Sequence, residues 1–247
     1  MKRVVIAGVS GAIGGALANR LLERDSQTSV IGLCRDPEKA PEVLRSHERS
    51  TVLPWDAEDS ASPAAVAEGL ESLLAREEGI DGFIYAAGLL HGPEMFPEKR
   101  LEDLDAGSMA RAFAVNATGF GLLTQALLPW LRHREFKRVA AISAKVGSIT
   151  DNGFGGWYAY RSSKAALNML VRNLSIELPR RCKPIACVSL HPGTTESALS
   201  EPFSQSLAKL KVHTAAETAA NLVDVLDNVG EGDNGRFLSW DGSELPW

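Results

Sequence analysis

Residues 3–24 read RVVIAGVSGAIGGALANRLLER, an apolar run that leads through a glycine-rich turn into a segment with helical periodicity. The apolar run from Arg3 to Ala7 predicts a buried strand, and the segment from Ala12 to Arg24 predicts a helix. Gly8 permits a tight turn between them, and Gly14 lets the helix approach the strand closely. A turn that only joins strand to helix is the alternative.

Free N–H groups at the start of such a helix attract phosphate, since they carry the positive end of the helix dipole. A glycine turn in this strand-to-helix context therefore predicts a pyrophosphate site. The residues expected to line it are Gly8, Ser10, Gly11, Ala12, Ile13 and Gly14.

The rest of the chain repeats this alternation of short apolar runs and longer periodic segments, which predicts βαβ units and a parallel sheet. The predicted strands are Arg3 to Ala7, Ser29 to Cys34, Ser50 to Pro54, Gly79 to Ala86, Lys137 to Ser143, Ile185 to His191 and Arg236 to Trp240. The predicted helices are Ala12 to Arg24, Ala61 to Glu77, Ser108 to Arg132, Tyr158 to Pro179 and Ala215 to Val229. We expect an α/β fold of the Rossmann type, a doubly wound, mainly seven-stranded parallel sheet with helices on both faces.

No low-complexity linker or repeat interrupts the sequence, so we expect residues 1–247 to form one nucleotide-binding domain. A segment without clear periodicity follows the sixth predicted strand, at about residues 194–213. Because α/β proteins bind ligands in loops that follow strand ends, this segment is the expected substrate loop.

The composition excludes several classes of protein. The chain is 45% hydrophobic and 23% charged, with a net charge of -5 and no Lys/Arg-rich run, so we expect no nucleic-acid partner. No apolar stretch is long enough to span a membrane. The three cysteines and five histidines show no metal-ligand spacing, so we expect no metal, reduced thiols and a cytoplasmic location.

Two motifs together resemble the short-chain dehydrogenases/reductases. The turn at residues 8–14 matches the family pattern Gly-x-x-x-Gly-x-Gly except at Ala12, and Tyr160 and Lys164 form a Tyr-x-x-x-Lys motif after the fifth predicted strand. The C-terminal FLSWDG at residues 237–242, with PW at the end of the sequence, looks like the C-factor-like subgroup of that family. The resemblance implies a nicotinamide cofactor and the interconversion of a carbonyl and an alcohol.

Tyr160 and Lys164 lie four residues apart and so share one face of a predicted helix. Hydride reduction of a carbonyl requires a proton for the oxygen, and a free tyrosine with a pKa of about 10 is a poor base at neutral pH. A lysine charge about 4 Å away supplies about 4 kcal/mol of phenolate stabilisation, enough for the task. We therefore expect Tyr160 to be the general acid/base. The resemblance adds Asn116, which matches the family asparagine that holds a water in the proton relay.

A catalytic serine is harder to assign. The family serine ends the fifth strand three residues before a glycine, and counting back from Gly147 reaches Ala144. Ser143 is one residue early, and since side chains alternate along a strand it would reach the substrate only if the strand end is irregular. We take Ser143 as the candidate and Ser148 as the alternative.

The end of the second strand distinguishes the two nicotinamide cofactors. Cys34 stands where the family's NAD enzymes carry an acid, and Arg35 stands where its NADP enzymes carry a base that suits a 2'-phosphate. NADP(H) is therefore expected, with a ribose contact from Asp36 as the alternative. Further cofactor contacts implied by the resemblance come from Asp56, Ala87, Gly88, Asn116, Tyr160, Lys164, Pro192, Gly193, Thr195 and Ser197.

Two functions follow from these motifs. The first is an NADP(H)-dependent oxidoreductase with a small-molecule substrate, whose apolar pocket would draw on Leu89, Leu90, Trp157 and the loop around Phe203. The second is a nucleotide-binding signalling or interaction protein with weak or no catalysis. Alanines occupy positions 12 and 144, and residues 85–88 read Tyr-Ala-Ala-Gly where the family has Asn-Asn-Ala-Gly, so Ala86 is a further departure. The resemblance also implies a homodimer or homotetramer.

Overall fold

The structure is a computed structural model that describes residues 1–75, 78–203 and 211–247. Its strands are β1 (Arg3–Ala7), β2 (Ser29–Cys34), β3 (Ser50–Pro54), β4 (Gly82–Tyr85), β5 (Lys137–Ile142), β6 (Ile185–His191), β7 (Thr194–Thr195), β8 (Val212–His213) and β9 (Phe237–Ser239). Seven of them pair in parallel in the order β3-β2-β1-β4-β5-β6-β9, and β7 pairs with β8. The predicted seven-stranded parallel sheet is therefore confirmed.

Helices cover both faces of the sheet. They are α1 (Ala12–Arg24), α2 (Glu42–Ser46), α3 (Ser62–Leu73), α4 (Ala106–Phe113), α5 (Gly119–Leu127), α6 (Tyr158–Cys182) and α7 (Ala215–Asn228). Alternate residues of β1 separate two cores: Val4 and Ile6 pack with α1 and α7, whereas Val5 and Ala7 pack with α3, α5 and α6. This alternation is what a strand buried on both faces requires.

Several predicted boundaries differ from the structure. The helix predicted to end at Glu77 ends at Leu73, and residues 76 and 77 lie outside the described residues. The strand predicted from Gly79 begins only at Gly82, since the Ile80 N–H donates to the Trp130 carbonyl outside the sheet. The helix predicted to stop at Pro179 continues to Cys182. Proline cannot donate to the carbonyl four residues earlier, and Asn234 Nδ2 donates to that Ser175 oxygen instead, at 2.7 Å.

The single helix predicted from Ser108 to Arg132 is divided. It begins at Ala106, because the Asp105 carboxylate accepts the Ser108 N–H at 2.7 Å, and it passes through a π-helical turn at Ala114–Thr118. Beyond α5 the chain tightens into a 3₁₀ turn at Leu128–Leu131. Single π turns inside helices are rare and often mark functional sites.

Tyr85, the last residue of β4, ties the sheet to the π turn. Its hydroxyl donates to the Val115 carbonyl at 2.5 Å, and its ring packs edge-on against Trp55 and Phe120. Gly119 makes room for it, because a Cβ there would lie 2.6 Å from the tyrosine oxygen. Tyr85 therefore connects the end of β4 directly to the π turn.

Replacing Tyr85 with Phe should lower the free energy of unfolding by about 1–2 kcal/mol, because the ring still packs but the buried Val115 carbonyl loses a partner. Urea denaturation at constant m-value measures the change. Tyr158→Phe is the matched control, since the Tyr158 hydroxyl makes no hydrogen bond to any described residue. Equal stability of the two variants would contradict the assignment.

Candidate active site

The glycine turn at residues 8–14 has the geometry of an anion cradle. Gly8 is in the left-handed region at φ 88°, and a Cβ there would lie 2.8 Å from the Ala87 backbone nitrogen. A Cβ on Gly14 would collide with the Gly8 carbonyl oxygen. Gly11 precedes α1 without a side-chain cap, and Ser10, Gly11 and Ala12 are exposed. The first N–H groups of α1 are thus open to solvent and suit a pyrophosphate.

Arg35 follows β2 as an exposed side chain. No carboxylate of the described residues comes within 4.0 Å of its guanidinium. Asp36 is engaged locally, because its carboxylate accepts the Glu38 N–H at 3.2 Å and lies 3.6 Å from Lys39 Nζ. Cys34 is buried and its thiol donates to the Asp36 carbonyl at 3.3 Å. Glu58 interacts with Arg35 electrostatically, but its carboxylate is hydrogen-bonded to Arg111, so the Arg35 guanidinium keeps its hydrogen-bond donors available for an anion.

Asp56 and Gly88 follow neighbouring parts of the sheet. The Asp56 N–H donates to Ser62 Oγ at 2.8 Å, and its carboxylate accepts the Glu58 N–H at 3.0 Å. Gly88 lies on the surface just beyond β4, after Ala87. A Cβ on Gly88 would lie 3.7 Å from both Asn116 Oδ1 and Lys164 Nζ. The segment after β4 thus brings these two polar groups to one point at the edge of the sheet.

Tyr160 and Lys164 lie in the first turns of α6 and are both buried. Lys164 Nζ donates to the Ile142 carbonyl at 2.8 Å and lies 5.8 Å from the centre of the Tyr160 ring. Burial raises the pKa of Tyr160 to about 12 and lowers the pKa of Lys164 to about 7. Because desolvation disfavours both charged forms, the protein alone favours a neutral phenol beside a lysine that titrates near neutral pH.

Asn116 lies in the π turn and is fully buried. Its Oδ1 accepts the Leu89 N–H at 2.7 Å, and its Nδ2 donates to the Leu89 carbonyl at 2.8 Å and to Ser163 Oγ at 2.9 Å. Ser163 Oγ in turn donates to the Tyr160 carbonyl at 2.9 Å. Asn116 therefore joins the loop after β4 to α6. Since both amide hydrogens are used, only acceptor positions remain for a water.

Ser143 and Ser148 differ in how their hydroxyls are used. The Ser143 N–H donates to the Leu190 carbonyl at 2.7 Å and Ala144 is extended, so the strand end is regular and the irregularity expected for Ser143 is absent. The regular strand itself places Ser143 on the face that packs with α6. By strand alternation Ser143 follows Val139 and Ala141, which pack with α6. Its buried Oγ has no hydrogen-bond partner among the described residues. Ser148 Oγ instead accepts the Asp151 N–H at 3.1 Å.

Glu98 is a site residue that the sequence analysis missed. The carboxylate is buried, and both of its oxygens accept the Ala159 N–H, at 3.2 and 3.3 Å. Its carbonyl accepts the Trp157 N–H at 2.6 Å. Glu98 thus caps the helix that carries Tyr160, where a negative charge meets the positive end of the helix dipole. The sequence did contain one signal for such a cap. The residue before α6 is Trp157, whose side chain cannot cap a helix, so another residue has to accept the first N–H groups.

The segment after β6 is fixed by packing and hydroxyl contacts. Gly193 is left-handed at φ 75°, and a Cβ there would lie 2.9 Å from the Trp240 ring. Thr195 Oγ1 and Thr218 Oγ1 are 2.8 Å apart in the interior. Ser197 Oγ lies 3.3 Å from Ser200 Oγ, and its N–H donates to that hydroxyl. Because β4 and β6 are parallel, this segment lies at the same edge of the sheet as Gly88. It contains Pro192, Gly193, Thr195 and Ser197.

Aromatic side chains surround the outer side of Tyr160. The Trp157 ring centre lies 6.2 Å from that of Tyr160 and 5.0 Å from that of Phe203. Leu90 is buried, and Leu89 packs instead with Met95, Ala112 and Ala159. Of the expected pocket residues, the structure brings Trp157 and Phe203 together. Residues 204–210 of the expected substrate loop lie outside the described residues.

The described residues show neither a metal-binding cluster nor a membrane-spanning helix. Residues 1–75, 78–203 and 211–247 contain no group of three or more His, Cys, Asp or Glu side chains arranged to hold a metal ion. None of the helices in these ranges has both the length and the apolar character needed to cross a bilayer.

Comparison with known proteins gives consistent matches. The family model for short chain dehydrogenase matches residues 2–208. C-signal of Myxococcus xanthus is 38% identical over 147 residues, covering 60% of this chain and 83% of that protein. Short-chain dehydrogenase srdF of Neurospora crassa is 31% identical over 262 residues, covering 99% and 97%.

Solved structures agree with these matches. NADPH-bound carbonyl reductase from chicken fatty liver has a TM-score of 0.84 at 29% identity, over 100% of this chain and 99% of that one. Carbonyl reductase Sniffer of D. melanogaster has a TM-score of 0.87 at 24% identity over the full length of both chains, which supports the fold. With a family match over most of its length and two relatives above 30% identity, the chain belongs to the short-chain dehydrogenase family.

Proposed function

We propose that the protein interconverts a carbonyl and an alcohol with NADP(H), and that Tyr160 is the general acid/base. The observation that carries this proposal is the meeting of Lys164 and Asn116 at Gly88, with Tyr160 one helical turn before the lysine. Family membership and the likeness to an NADPH-bound carbonyl reductase support an oxidoreductase of this kind.

NADPH, when bound, supplies the hydride that reduces the carbonyl carbon. The Tyr160 hydroxyl donates its proton to the carbonyl oxygen. Because burial raises the pKa of Tyr160, the hydroxyl is protonated before this transfer. The charged form of Lys164 stabilises the phenolate that remains. Alcohol oxidation runs through the same groups in reverse, with Tyr160 accepting the proton.

Asn116 and Ser143 complete the proposed machinery. Asn116 holds the loop after β4 against α6 and offers acceptor positions for a relay water. Ser143 is the better serine candidate because its buried hydroxyl has no partner among the described residues, whereas Ser148 Oγ already accepts a backbone N–H. A hydroxyl on the α6 face of the sheet is on the same side as Tyr160 and can donate to the substrate oxygen.

The cofactor contacts follow the carboxyl edge of the sheet. The pyrophosphate would be held by the glycine turn, at Gly8, Ser10, Gly11, Ala12, Ile13 and Gly14. The 2'-phosphate would be held by Arg35. The adenosine half of the cofactor would contact Asp56, Ala87 and Gly88. The nicotinamide half would contact Pro192, Gly193, Thr195 and Ser197. Arg35 favours NADP(H), since an exposed guanidinium with no ion pair within 4.0 Å among the described residues can form bidentate bonds to phosphate.

A homodimer or homotetramer is the proposed assembly. Leu122 on α5 and Met169 and Ile176 on α6 are exposed apolar side chains on the two helices that would meet. Exposed apolar groups concentrated on neighbouring helices are typical of subunit contacts.

Purified protein with NADPH and a panel of ketones and aldehydes tests the activity directly. Replacing Tyr160 with Phe should reduce kcat/KM for any ketone turned over by about 100-fold or more, since the proton donor is lost. NADPH binding, followed by fluorescence titration, should remain. Tyr158→Phe is the control and should keep full activity. NADPH binding without turnover of any compound would favour the signalling or interaction protein instead.

The pH dependence of ketone reduction should follow Lys164. Burial lowers its pKa to about 7, so the lysine is charged below that pH and neutral above it. Without its charge the Tyr160 phenolate is no longer stabilised. We expect kcat/KM for a ketone to fall about tenfold per pH unit once the pH exceeds that value. Lys164→Arg keeps the charge and should remove this falling limb; a limb that is unchanged in the arginine variant would refute the assignment.

Replacing Arg35 with Leu should raise the KM for NADPH by about 10- to 100-fold, because charge-assisted hydrogen bonds to the 2'-phosphate are lost. The KM for NADH should change little. Lys39→Leu is the matched control, since it removes a neighbouring positive charge that already lies beside Asp36. A wild-type preference for NADH would point to Asp36 as the ribose ligand.

A further inference from the structure

Trp157 has an unusual backbone conformation for a large side chain. It is the one residue other than glycine with a positive φ among those the structure describes, at φ 50° and ψ 45°, and Gly155 and Gly156 before it are also left-handed. Bulky residues rarely adopt this region, and such strain persists only where the surroundings hold it. Outliers of this kind cluster at active sites and ligand clamps.

The surroundings hold Trp157 on both sides. Its N–H donates to the Glu98 carbonyl at 2.6 Å, and its own carbonyl accepts the Arg161 N–H at 2.8 Å. The indole lies edge-on to the Tyr160 ring, with an interplanar angle of 69°. A strained residue is thus fixed beside the proton donor, three residues before it in the sequence.

Trp157 is the inner end of a continuous group of rings, here called the aromatic wall, formed by Trp157, Phe203, His91 and Phe96. Ring centres are 5.0 Å apart between Trp157 and Phe203, and 6.0 Å apart for each of the two remaining neighbouring pairs. The first three rings are half-buried, and Phe96 is 67% exposed. The aromatic wall therefore presents aromatic surface to solvent beside Tyr160.

We infer that Trp157 determines specificity and that the substrate carries an apolar aromatic ring near its carbonyl group. This inference rests on the proposed carbonyl reductase function. Aromatic pairs in edge-on or offset contact bind more strongly than their buried area alone provides. A ring on the substrate that joins the wall at Trp157 gains this contact, whereas a saturated ring of similar size gains only burial. The expected preference is about two- to tenfold in kcat/KM.

A matched pair of ketones tests the inference. Benzylacetone and its ring-saturated analogue have the same carbon skeleton, and two methylene groups separate the ring from the carbonyl in both, so their reactivity toward hydride is similar. The wild-type protein with NADPH should reduce benzylacetone with the higher kcat/KM. Trp157→Leu should bring the ratio of the two values close to one, and Trp157→Phe, which keeps an aromatic ring, should retain a preference.

Phe154→Leu is the control, because Phe154 is an aromatic residue in the same loop that is 95% exposed. It should leave the ratio as in the wild-type protein. Thermal unfolding of each variant confirms that the fold is kept. Equal kcat/KM values for the two ketones in the wild type, or a ratio that Trp157→Leu does not change, would overturn the inference and leave the proposed reductase intact. Absence of turnover on every carbonyl tested would overturn both.

Discussion

The hydrogen bond from Lys164 Nζ to the Ile142 carbonyl joins α6 to the end of β5, next to the central strand β4 of the sheet. An ammonium group is costly to bury, and this buried lysine has a strand carbonyl as its partner. The bond fixes where Lys164 and Tyr160 stand relative to the carboxyl edge of the strands. The glycine turn, the segment after β4 and the segment after β6 all reach that same edge, so a nucleotide lying along it would pass the lysine.

Asn116 depends on a second set of connections. The π turn moves this residue out of the regular helical repeat. Tyr85 binds the turn at the Val115 carbonyl, and the Asn116 amide binds Leu89 and Ser163. The Tyr85 phenol connects the end of β4 to the π turn, and Gly119 leaves the space that this hydroxyl needs.

The sheet was predictable because each strand is buried on both faces and therefore reads as an unbroken apolar run. Gly8 and Gly14 were predictable for a related reason, since the turn leaves no space for a Cβ at either position. Glu98 was not, because its role arises from a contact between segments 61 residues apart in the sequence. The π turn has no periodic signal in the sequence. The direction of the Ser143 side chain was not predictable either, because it depends on the residue at which β5 stops being a regular strand. Local patterns thus revealed the scaffold, and long-range hydrogen bonds determined the details of the site.

The contact between Asn234 and the Ser175 carbonyl has a consequence for the order of folding. The two residues are 59 positions apart in the sequence. The Ser175 carbonyl, to which Pro179 cannot donate, is unpaired until Asn234 reaches it. During synthesis the last turn of α6 emerges well before its partner. That turn gains its full hydrogen bonding only when the segment preceding β9 docks, so completion of α6 is coupled to the pairing of the last strand of the sheet.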